Sequence, residues 1–173
     1  MKQTILLLPL LLFLWSGCQN QREQIESATY LRWVGDSEPD KKIDDPNFEI
    51  CHTEDEVFQY FNLMNGPQYV GEKKALEQHF MTNFKPLENS AHSGFVRVRF
   101  IVNCEGKAGR FRVIQSDLDL NETKFDSGLV KQLVDLTKSV EKWVIQYKDD
   151  TAVDYYQYLI FKIDNGRIIE ILP

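Results

Sequence analysis

An α+β fold is predicted by three features of the sequence. Residues 94–114, GFVRVRFIVNCEGKAGRFRVI, alternate apolar and basic residues on both sides of a turn, the period-two pattern of a β-hairpin. Two other stretches, one before the hairpin and one after it, carry apolar residues at helical spacing. Near the C-terminus, AVDYYQYLIFKI runs into Asp164-Asn165-Gly166, a long strand entering a tight turn. For 173 residues this mixture makes one domain with its own core the expectation.

The beginning of the chain reads as a targeting segment. Lys2 precedes an almost unbroken apolar run from Ile5 to Trp15, too short to span a bilayer and right for a signal-peptide core. The run ends in Leu14-Trp15-Ser16-Gly17-Cys18, and two small residues before a cysteine resemble the lipobox of bacterial lipoproteins. That resemblance implies a signal peptide over residues 1–17 and an acylated Cys18 as the first mature residue. Each buried acyl methylene contributes about 0.8 kcal/mol, so two or three chains anchor a protein without a transmembrane helix. Nothing later in the chain is apolar enough to span. Residues 18–50 hold the polar QNQREQ and the turn-rich GDSEPDKKIDDPN around one apolar island at Tyr30 to Val34, and read as a lipidated, irregular tether. The domain itself is placed at residues 51–173.

Charge narrows the partners. The formal net charge is -6 for the whole chain, and losing residues 1–17 removes one further positive charge, which excludes nucleic acid as the expected partner. Cys51 and Cys104 are the two remaining cysteines. An oxidising compartment and an even count make them candidates for a disulfide, although sequence does not show whether they approach each other. The histidines His52, His79 and His92 have no ligand-like spacing with these cysteines, so neither a metal nor a cofactor is expected.

Along the domain, residues 57–61 have strand-like composition, while Thr53 with Glu56 forms a capping box for a short helix. After Gly66-Pro67, the stretch VGEKKALEQHFMTNF places Ala75, Leu76, Phe80 and Phe84 on one helical stripe ending before Pro86. In the hairpin, Val96, Val98, Phe100 and Val102 share one face, and Arg97, Arg99, Ile101 and Asn103 the other. With residues 104–109 as the turn, Asn103 lies opposite Arg110; Arg112 and Ile114 then join the arginine face, and Phe111 and Val113 the core. A second helix carries Phe125, Leu129, Leu133, Leu136 and Val140 on its stripe, widened by Val130 and Val134. Trp143 follows, then a polar loop from Tyr147 to Thr151. The last long strand is apolar or aromatic on both faces and requires cover on each.

These elements resemble a known family. Pro67-Gln68-Tyr69-Val70-Gly71-Glu72-Lys73-Lys74-Ala75-Leu76 is similar to the P-x-F-P-G-G-x-x-A-L entry of the TonB C-terminal domain, with Val70 and Glu72 at its second proline and second glycine, as in a divergent member. The hairpin looks like that family's G-x-V-x-V-x-F-x-V, turn, V-x-V. The resemblance covers about residues 57–161. It implies a small antiparallel sheet with both helices on one face, the first hairpin strand central, and the later long strand at an edge with Arg167 to Leu172 paired onto it.

The functional expectation is an envelope lipoprotein, most naturally outer-membrane anchored, whose non-catalytic TonB-like domain faces the periplasm and binds an unidentified envelope protein. The alternative is an accessory TonB-type protein that couples to outer-membrane transporters by adding a box peptide as a strand at Tyr156, Tyr158 and Ile160. Against that alternative stand the lipoprotein signal in place of a permanent helix, the lack of a proline-rich spacer, and a C-terminal strand that would seal the edge. No catalytic residue is expected, because no nucleophile and base, paired-carboxylate motif or phosphate loop is present. Arg97, Arg99, Arg110 and Arg112 form a candidate docking face for an acidic partner or lipid headgroups; the competing reading is a solvated face whose arginines pair with acidic neighbours.

Overall fold

A computed structural model describes residues 37–59, 68–87, 90–141 and 143–172. In chain order it contains a single 3-10 turn (Glu54–Glu56), then β1 (Phe58–Gln59), α1 (Glu72–Asn83), β2 (Gly94–Val102), β3 (Ala108–Ser116), α2 (Ser127–Lys138), β4 (Gln146–Lys148), β5 (Thr151–Val153), β6 (Tyr155–Asp164) and β7 (Arg167–Leu172). The fold is α+β, with a five-stranded sheet and a separate two-stranded ribbon of β4 and β5.

The main sheet is organised around β2, which pairs antiparallel with β3 on one edge and with β6 over its whole length on the other. Its Val96, Val98, Phe100 and Val102 point into a core shared with Leu159, Phe161 and Ile163 of β6, Leu76 and Phe80 of α1, and Leu129 and Leu133 of α2. Both helices therefore pack on one face. The stripe of α1 continues into Phe84, whose N–H donates to the Phe80 carbonyl as the helix ends before Pro86. Asp126 starts α2 by accepting from the N–H groups of Gly128 and Leu129, satisfying two donors that the first turn leaves unpaired. Trp143 closes the cluster, its ring 4.9 Å from Phe100 and 5.5 Å from Tyr69.

The hairpin register differs from the one expected. Asn103 donates its N–H to the Lys107 carbonyl, and its side chain accepts from the N–H groups of Glu105 and Lys107, so the turn closes at Asn103 and Lys107. Ile101 then faces Gly109, whereas Arg99 faces Arg112, so Arg110 and Phe111 together oppose Phe100 in a β-bulge. Arg110 sits at φ 54°, the left-handed turn that such a bulge uses. Without the extra residue the tighter turn would aim Arg110 at the helices; the bulge returns it to the arginine face and lets Phe111 stack on Phe100 at 5.2 Å. Period-two patterning does not distinguish registers that keep the same faces, so asparagine turn chemistry decided the pairing.

Three further expectations are corrected. β6 is interior, because β1 pairs parallel with it at Tyr155 and Tyr156 and β7 antiparallel at Ile160 to Asp164; the sheet is thus mixed. The stretch read as a polar loop is the β4–β5 hairpin, turned by Asp149 and Asp150 at φ 48° and 65°. Residues 37–50, expected as tether, are packed: Phe48 and Ile50 lie against Val57, Ile101 and Tyr156 in a second small core on the sheet face away from the helices. Gly109 makes room for this strap, since a Cβ there would stand 2.1 Å from the Phe48 ring. The folded unit therefore extends at least to Ser37. Capping box and strand both exist at the start of the domain, with Thr53 and Glu56 bonded reciprocally and β1 following.

Candidate functional site

Four arginines project from the sheet face opposite the helices, and the structure places them under cover. Arg97 and Arg99 are only 6% and 7% exposed, and Arg110 is buried as well. Arg97 donates to the Ser116 hydroxyl at 2.6 Å and lies over the Phe95 ring. Its guanidinium, taken out of water, is pushed down to about 10 in pKa and remains charged at neutral pH. Arg99 stacks 3.8 Å from the centroid of Tyr156, a cation–π geometry that offsets part of its desolvation. A solvated face was one expectation and a docking face the other; burial of Arg97 and Arg99 removes both as descriptions of this pair.

Arg110 and Arg112 do pair with acidic neighbours, as the solvated-face reading expected, but those neighbours belong to the segment that covers the sheet. Arg110 forms two bonds to Glu54, at 2.6 and 2.8 Å, and Arg112 two to Asp44, at 2.5 and 2.8 Å, with a further bond to the Glu38 carbonyl at 2.7 Å. These fork-to-carboxylate bonds, ahead of the opposing effect of burial, hold Asp44 and Glu54 below the usual carboxylate range and raise both arginines. Ser37 adds an N–H to the Tyr156 hydroxyl at 2.9 Å. A cleft of about 340 Å³ opens between the strap and Arg110, lined by Asp40, Asp44, Asp45 and Phe48. Its carboxylates are engaged: Asp40 accepts from Lys42 N–H, Asp45 from Asn47 N–H and Asp44 from Arg112.

At the end of the strap, a disulfide joins Cys51 to Cys104, with their Cα atoms 6.0 Å apart. Asp154, fully buried between β5 and β6, accepts from the Cys51 and His52 N–H groups through one oxygen and from Cys104 N–H through the other, all at 2.9 to 3.0 Å. One carboxylate thus fixes the backbone of both cysteines. Cys51, Cys104 and Asp154 are also the one group of metal-type ligand atoms found together among the described residues, but the disulfide occupies both sulfurs. Sequence reading missed Asp154. Its signal was an acid inside an otherwise apolar strand run, where a buried charge needs several donors.

The edge proposed for a box peptide is taken. Tyr156 faces Gln59 of β1 and is fully buried, Ile160 faces Leu172 of β7, and the Tyr158 hydroxyl donates to Gln59 at 2.6 Å. Cys18, the lipidation candidate, lies outside the described residues, as does the apolar island at Tyr30 to Val34. His79 is 3.2 Å from both the Leu136 carbonyl and the Ser139 hydroxyl, joining α1 to the end of α2. Compared with known proteins, the chain matches no family model, no curated protein and no solved structure.

Proposed function

We propose that this chain is an envelope lipoprotein, acylated at Cys18, whose TonB-like domain faces the periplasm and binds an envelope protein without catalysing a reaction. The observation that carries the reading is the entry to α1. Gly71 and Glu72 both adopt positive φ, 93° and 56°, at the two positions where the resembled motif has a pair of glycines. A left-handed glutamate is costly, so the backbone keeps a shape that a glycine pair would adopt without strain. The strand and helix order, with both helices on one face of a sheet centred on β2, supports the same reading. The disulfide supports an oxidising compartment.

Mass spectrometry of the chain purified from membranes tests the anchor: the expected product begins at Cys18 and carries acyl mass that Cys18→Ser lacks. An unprocessed or unacylated chain rejects it. For the binding role, in-cell photo-crosslinking from several exposed positions should yield a discrete adduct with one envelope protein; an unchanged mobility from every position refutes it.

A further inference from the structure

Asp154 lies between β5 and β6 with no exposed surface, beside a bridge that solvent can reach. Cys51 is exposed and Cys104 half-buried, so a small thiol has access to the sulfurs. The two oxygens of Asp154 accept from the N–H groups of Cys51, His52 and Cys104. Those bonds explain how the cysteine backbones are held. They do not exhaust what the carboxylate does, because one of its oxygens and both sulfurs lie within 4.8 Å of one another.

A disulfide is opened by a thiolate, which bonds to one sulfur while the electron pair of the broken S–S bond leaves on the other. Attack at the exposed Cys51 forms a mixed disulfide there and leaves a thiolate on Cys104, which takes a proton from water. A second reductant thiolate then releases Cys51 and departs as the reductant's own disulfide, so two electrons pass to the bridge. Negative charge therefore builds on sulfur beside a carboxylate, at a separation where like charges repel strongly in a poorly solvated site. The N–H groups of the two cysteines cannot offset it, since both donate to that carboxylate. The cations nearest in sequence have partners of their own: Lys107 pairs with Glu105 and Arg110 with Glu54, while Arg99 lies over the Tyr156 ring and Lys148 over that of Phe58. The His52 ring is held at the Ala152 carbonyl, 2.8 Å from Nε2.

We propose that Asp154 guards the Cys51–Cys104 bridge by its charge, in addition to fixing both cysteine backbones, so that anionic thiols such as glutathione open it slowly. The bridge is then a durable staple, and the strap's cover of Arg110 and Arg112 is a fixed feature of the fold, not a redox-gated one. This inference goes beyond the proposed binding role and does not depend on it. A purely geometric role for Asp154 differs in one respect: it would leave the charge of the reductant without effect.

The test uses the full-length folded chain in neutral detergent and three small reductants of similar size: aminoethanethiol, mercaptoethanol and mercaptoethanesulfonate, with cationic, neutral and anionic ends. Reduction is followed by alkylating Cys51 and Cys104 and weighing their peptides, with rates expressed per thiolate. The cationic reductant should be faster than the anionic one by about fivefold or more, with the neutral one between. In roughly 1 M salt the difference should persist at about threefold or more, because a buried charge is screened far less than surface charges. Asp154→Asn should speed the anionic reductant most and bring the ratio below about twofold. Glu105→Gln, a change of the same charge on the exposed turn, should leave the ratio as it was. Equal rates for all three reductants, a ratio abolished by salt, an Asp154→Asn variant that speeds all three alike, or a Glu105→Gln variant that matches it each overturns the proposal. Where Asp154→Asn does not fold, the salt series on the unaltered chain decides alone.

Discussion

The helix face of the sheet holds Val96, Val98, Phe100, Leu159 and Phe161 against two helices. The opposite face holds Arg97 and Arg99 against rings of the sheet, and Arg110 and Arg112 against a strap with little regular structure, tied by two ion pairs, a disulfide and a small apolar cluster. Both faces exclude water, but by different physics. On the first, burial of apolar area needs no partner geometry. On the second, every guanidinium taken from water requires a ring, a carboxylate or a carbonyl at a fixed position. The strap face is accordingly the one sensitive to pH, salt and reductant.

Phe80→Ala attacks the helix face directly. Its ring is fully buried, 4.8 Å from Phe161, and the expected loss is about 3 to 5 kcal/mol in urea unfolding, unchanged between low and high salt. A loss under about 1 kcal/mol would mean that the helices are not packed on the sheet as described. Next in size is the staple of the strap. Replacing Cys51 and Cys104 by serine reopens a loop with a sequence separation of 53 and should cost roughly 4 kcal/mol on the chain-entropy account, with unfolding of the reduced native protein matching the double variant.

Asp44→Ala leaves Arg112 without its carboxylate and should cost about 1 to 2 kcal/mol, more at low salt than at high. Its pH dependence has a definite sign. Because the folded protein holds the Asp44 carboxyl below its ordinary value of 3.8, the ion pair contributes fully above that pH and is lost as pH falls through the folded value. The unaltered protein should therefore lose more stability than Asp44→Asn on acidification below about pH 4; parallel acid-unfolding curves would show that the strap is not held by this pair. Smallest is Glu72→Gly, which relieves a left-handed glutamate and should raise stability by about 0.5 kcal/mol, a shift in urea midpoint that the helix face tolerates without change in slope. A destabilised variant would place the α1 entry in an ordinary helical conformation.

Much of the helix face was legible because its information is periodic. Leu76 and Phe80, Leu129 and Leu133, and Val96 to Val102 each announce a buried stripe through spacing alone, and Asn165-Gly166 announces its hairpin. The arginine face was not, for its partners are remote: Asp44 and Arg112 are 68 residues apart, and Glu54 and Arg110 are 56 apart. Nothing periodic links them. The same remoteness hid the role of Asp154, whose three donors come from two loops far from it in sequence.

By itself, then, the sequence determined the α+β class, the two helical stripes, the composition of both hairpin faces and the cysteine pair available for bridging. Only the tertiary structure decided that the arginine face is covered, that the strap begins by Ser37 rather than after residue 50, and that β6 is interior. Local periodicity is written into neighbouring residues and can be read one element at a time. Burial of a charge, closure of a strand edge and the shift at a bulge depend on which distant groups arrive, and those are fixed only when the whole chain has packed.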